Sequence, residues 1–140
     1  MPSVIYNSAL DDEARGLIDY DTDSFKVMLV TSAYVPNKDT HLKRSDITNE
    51  VVGAGYVAGG ATVTVAVTKD LANDRVDISL GAASWAASTI TARGAVYYKS
   101  RGGLASADEI VTYNDFGADI TSTAGTFSLA ASILRKQNLT

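Results

Sequence analysis

The chain of 140 residues has no cysteine, one histidine and two prolines. The first absence removes disulfides, thiolate zinc sites and thiol catalysis together, and leaves the redox compartment open. The lone histidine, His41, excludes a multi-histidine metal centre. No run approaches the roughly 20 apolar residues of a bilayer-spanning helix. The segment from Met1 to Ser8 lacks the basic stretch and apolar core of a secretory signal. The expectation is a soluble chain made in the cytoplasm, without membrane contact. Positive charge is scarce too: 12 Lys and Arg stand against 16 Asp and Glu, for a net charge of −4. A general nucleic-acid binder needs a basic face to displace counterions from phosphates, so nucleic acid is not expected as a partner.

Hydrophobic residues at 46 % and charged residues at 20 % are the composition of a folded globular chain. Residues 1–140 read as a single domain, with no fixed-period repeat and no low-complexity linker. A short helix is expected near the start, with Ser8 as cap, Asp11 to Glu13 in its first turn, and Leu10, Ala14 and Leu17 facing the core before Gly16 frays it. From Ser24 the period becomes two. Phe25, Val27 and Leu29 alternate with Lys26, Met28 and Val30 in a central strand, and Tyr34 to Asn49 forms the longest loop. Val63, Val65 and Val67 are placed on one buried face, in a hairpin that turns at Asn73-Asp74 and returns through Val76, Ile78 and Leu80.

Trp85 opens a strand that runs to Tyr98, with Gly94 as a bulge or close backbone approach. Glu109 to Phe116 forms another strand, ended by Gly117. Thr126 to Leu134 closes the fold with Phe127, Leu129, Ala131 and Ile133 on one face, leaving the last six residues as a tail. Short strands with turn signals every ten residues or so describe an all-β protein, an antiparallel β-sandwich, with a jelly roll as the preferred winding and one short N-terminal helix.

Four constellations resemble chemistry and fall short of it. Gly53, Gly55, Gly59 and Gly60 suggest a phosphate loop, but alternating threonine and valine follow them instead of a helix N-terminus, so they read as a strand connection. Asp19, Asp21 and Asp23 open like a calcium loop, yet Ser24 and Val30 occupy the positions of its glycine and glutamate, and no metal is assigned. His41 with Ser45 and Asp46 lies within one loop, which does not supply a preorganised triad. Trp85 with the tyrosines could form a carbohydrate platform, although such aromatics more often fill a core. No cofactor and no catalytic residue is assigned. The candidates for contact with a partner are the concentrated cations Lys43, Arg44, Arg93, Lys99 and Arg101, and Tyr97, one of an adjacent tyrosine pair that a strand points to opposite faces.

The runs Phe25 to His41, Asn49 to Thr62, Thr91 to Lys99 and Asp115 to Asp119 together resemble small virion proteins of tailed bacteriophages. The resemblance covers nearly the whole chain and is strongest to the cement, or head-decoration, proteins of Bordetella podoviruses. It implies a jelly-roll protein, not an enzyme, that binds major capsid protein on the outer surface of the virion shell. It further implies stabilisation of the head and a homo-oligomer, with a dimer suited to two-fold positions. A tail, neck or fibre component of the same virion shares these features. A carbohydrate-binding module is the alternative of another class.

Overall fold

The computed structural model describes residues 3–138. Eight strands and one α-helix follow in order: β1 (Val4–Ile5), α1 (Asn7–Ala14), β2 (Phe25–Val30), β3 (Ala61–Val63), β4 (Val65–Asp70), β5 (Arg75–Leu80), β6 (Ala83–Lys99), β7 (Ile110–Leu129) and β8 (Ser132–Gln137). They form a five-stranded sheet, β1-β7-β6-β2-β3, and a three-stranded sheet, β4-β5-β8, with every pairing antiparallel. The expected all-β architecture with one short helix is observed. The strands divide five and three between the two sheets.

Both faces of the larger sheet are covered, which explains why β2 is apolar on both. Phe25, Val27 and Leu29 join Ile78 and Leu80 of the smaller sheet, with Trp85 and Phe127, in one cluster. Met28 and Val30 join Tyr6, Tyr34, Ile47 and Tyr113 in a second, roofed by the segment after β2. Burying one such side chain contributes about 1.5–3 kcal/mol before the opposing entropy, so a doubly covered strand anchors the fold.

Three strands cross between the sheets. β3 becomes β4 at Thr64, β5 becomes β6 across Gly81-Ala82, and β7 becomes β8 across Ala130-Ala131. The break at Thr64 corrects one expectation: Val63 is buried, but Val67 is 42 % exposed, because the valine run serves two sheets instead of one buried face. The hairpin that follows is as expected, with Asp74 left-handed at its turn (φ 53°).

β6 and β7 form a long ribbon with several register shifts. Gly94 marks one of them, and the ring of Tyr113 fills the space a side chain there would need. Gly117 does not end β7. With φ of 81° it turns the strand inside an irregular stretch between Asp115 and Ile120, and pairing to β6 resumes at Ile120. The expected last strand divides likewise: Phe127 and Leu129 belong to β7, and Ile133 is 55 % exposed on β8. Arg135 to Gln137 pair with Arg75 to Asp77, so this part of the expected tail is strand; Leu139 and Thr140 lie outside the described residues.

Helix α1 also begins earlier than expected. Tyr6, buried and bonded through its hydroxyl to Tyr34 (2.7 Å), stands at the N-cap without a side-chain cap, and Ser8 lies inside the first turn. Asp11 to Glu13 therefore fall in the second half of the helix. Ala9 faces the core, while Leu10 and Leu17 are exposed. Among the described residues no helix is long and apolar enough to cross a membrane.

Candidate partner-binding surface

Four of the six expected contact residues gather at one end of the larger sheet. The segment after β2 returns to that end in a 3₁₀ turn at Arg44–Asp46, where the Asp46 carboxylate accepts the N–H groups of Leu42 (2.9 Å) and Lys43 (3.0 Å). Those hydrogen bonds hold the Asp46 carboxyl below its ordinary range. Lys43 bridges to Glu109, and the Arg44 N–H donates to the Asp108 carbonyl (2.9 Å), which fastens the turn to the start of β7.

Asp108 and Glu109 are the centre of this end, each with a side chain only 1 % exposed. A buried carboxylate needs paired charge and hydrogen bonds, and both are supplied. Arg44 Nε donates to Asp108 Oδ2 (2.8 Å) while its guanidinium lies 5.0 Å from the centre of the Tyr98 ring. Arg101 grips Glu109 through Nε (2.6 and 3.2 Å) and one terminal nitrogen (3.1 Å), and Lys43 Nζ approaches at 3.3 Å. Burial pushes the Glu109 carboxyl up, but the bonds and charges of Arg101 and Lys43 outweigh it, and the group sits below its ordinary range. Lys99 is engaged as well, by the Leu17 carbonyl (2.7 Å) and Asp23 (2.9 Å).

The remaining two residues lie elsewhere. Arg93 sits at the irregular stretch of the ribbon, bonded to Asp115 (2.8 Å). Tyr97 is fully buried, so it cannot meet a partner in this fold, which corrects the expectation. The alternation argument holds, since Tyr97 and Tyr98 belong to clusters on opposite faces, but both faces are covered. Burial pushes the Tyr97 hydroxyl up to about 12, and among the described residues it has no hydrogen-bond partner. Trp85 is buried too, tilted against Tyr56 and edge-on to Phe127, which removes it as a sugar platform.

His41 Nδ1 accepts the Asn37 N–H (3.3 Å) and meets the Tyr34 hydroxyl (2.8 Å), a link in a chain that continues to Tyr6. No hydrogen bond joins it to Ser45 or Asp46. The Asp19 carboxylate accepts the Asp21 N–H (3.0 Å), and Asp23 accepts the Asp19 N–H (2.8 Å), making an acidic turn ahead of β2. Among the described residues no group of three or more metal-ligating side chains is placed to hold an ion. The glycine run binds the larger sheet: Gly60 packs against the Val27 carbonyl so closely that a Cβ would lie 1.8 Å from its oxygen.

Sequence reasoning missed the side chains that remain available. Val35, Leu42, Val52, Val57 and Leu104 are at least half exposed, all on the segments between strands. The turn that follows Leu42 lies against the one that follows Leu104, so aliphatic groups and the paired cations share an end. An isolated aliphatic residue in a loop carries no periodic signal, which is why none was a candidate. Comparison of the chain with family models, curated proteins and solved structures finds no match in any of the three.

Proposed function

We propose that the chain is a structural protein of a tailed-bacteriophage virion, a capsid cement protein that binds major capsid protein on the outside of the shell and stabilises the head. The observation that carries this reading is the division of labour on the surface. The concentrated cations are neutralised by carboxylates of the same chain, while the inter-strand segments hold out aliphatic side chains on a scaffold buried on both faces. That is chemistry for docking onto protein, and rigid elements present loops with little ordering cost. The resemblance of the sequence to decoration proteins supplies the partner and the site in the particle.

A cement protein works through many copies of a modest contact. Each copy that bridges two capsomers makes its second attachment intramolecular, so weak contacts act together across the shell. Self-association at two-fold positions fits the same logic, because a self-complementary patch closes on itself. The test is to label the protein and image intact particles, then compare heat and osmotic resistance of shells with and without it. Density over the outer shell and weaker stripped shells are expected. A label confined to the tail, or unchanged resistance, overturns the reading.

A further inference from the structure

The smaller sheet overhangs the segment between α1 and β2. Register places Val67 opposite Ile78 on its inner face, and Val76 in the next row outward. Ile78 is buried in the core, but Val67 and Val76 run past the core's edge, and Val67 is 42 % exposed. Below them lies a groove of about 460 Å³, floored by Ile18 and Tyr20 and rimmed by Asp19 and Asp21. Val76 stands in its row between Lys69 and Lys136, so the apolar part of this face narrows to Val67 and Val76 at the groove, and it has no covering layer among the described residues.

Charge identifies the occupant. Among the described residues one cation, Lys136, lines the groove, and it is bound to Glu13. Asp19 and Asp21 are exposed and form no ion pair among the described residues. A second copy of the chain has little to offer them, because ten of its twelve Lys and Arg are already paired internally. We infer that the groove seats an extended segment of the shell subunit in which aliphatic residues alternate with lysine or arginine. The aliphatic side chains pack on Val67 and Val76, and the basic ones meet Asp19 and Asp21 across the rim.

This rests on the shell-binding reading, and the experiment separates the two. Shells assembled without the protein are mixed with wild-type chain, with an Asp19→Asn/Asp21→Asn variant and with Val67→Asp, and the bound fraction is read by co-sedimentation at two salt concentrations. Asparagine keeps the carbonyl oxygen that accepts the Asp21 N–H, so the turn is retained and the double variant decides even where Val67→Asp fails to fold. Wild type is expected to bind, and the double variant to bind about tenfold more weakly with a flatter salt dependence. Failure of the wild type to bind sinks the shell reading itself. Equal binding by wild type and the double variant overturns the groove and leaves that reading standing. A change in self-association of the isolated double variant, seen by sedimentation velocity, assigns the groove to a second copy and overturns the inference as well.

Discussion

Replacing Gly94 by alanine tests whether close packing at the bend of the β6–β7 ribbon is a requirement of the fold. An added Cβ would stand 2.4 Å from Cε1 of Tyr113 and 2.6 Å from both Cζ and the hydroxyl oxygen. Carbon contacts become favourable near 3.5 Å, so the ring or the strand must move by about 1 Å. The ring has nowhere to go, being fully buried and edge-on to Tyr34 at 5.6 Å between centres. Overpacking of this kind costs about 1–3 kcal/mol, whereas glycine to alanine at a tolerant position stabilises by about 0.4–1 kcal/mol. A net loss of about 2 kcal/mol is expected, read as a lowered urea midpoint with an unchanged m-value. The companion measurement is a cycle with Tyr113→Leu, which removes the ring. In that background the alanine should cost less than about 0.5 kcal/mol, giving a coupling above 1 kcal/mol. Additive costs, or a stabilised Gly94→Ala protein, would refute the packing account.

Three further outcomes are expected. The Asp46 and Glu109 carboxyls lie below their ordinary range in the fold, so their contribution is complete above the unfolded carboxylate range near pH 4 and is lost as pH falls through the lower folded values; urea midpoints measured from pH 7 to pH 3 should drop, and less steeply in Glu109→Gln. Ala87 and Ala124 hold left-handed backbone (φ 50° and 45°), where a side chain costs about 1–2 kcal/mol, so glycine at either should be neutral or raise stability by up to about 1 kcal/mol, and a clear loss on thermal melting would contradict the assigned strain. Trp85→Ala should destabilise by about 3–5 kcal/mol, as a core truncation does, and a fully stable variant would place that ring outside the core.

The legible parts of the fold are those governed by local rules. The period of two along Phe25 to Val30, the turn at Asn73-Asp74 and the missing side chain at Gly94 each express a constraint that acts within a few residues, and each is found in place. What could not be read depends on partners distant in sequence. Val65 and Val67 follow Val63 in perfect alternation, yet the chain changes sheet at Thr64, because β3 pairs with β2 and β4 with β5. Gly117 looks like a stop, but pairing to β6 resumes at Ile120.

The candidate surface shows the same division. Clusters of Lys and Arg are visible in the sequence, but the carboxylates that neutralise them, Asp108 and Glu109, lie more than sixty positions from Lys43 and Arg44. Tyr97 alternates as a contact residue should, but it is buried in the cluster between the two sheets, while its neighbour Tyr98 is covered on the opposite face by the N-terminal segment and the segment after β2.

The three strands that pass from one sheet to the other bear on how the molecule carries force. Two sheets held only by interleaved side chains can slide when pulled, since dispersion contacts resist shear weakly and re-form as they shift. In this chain the crossings at Thr64, Gly81-Ala82 and Ala130-Ala131 stitch the sheets together with backbone. Tension applied to the smaller sheet is therefore handed to the larger one along covalent bonds, and the two cannot part without stripping ladder hydrogen bonds from both.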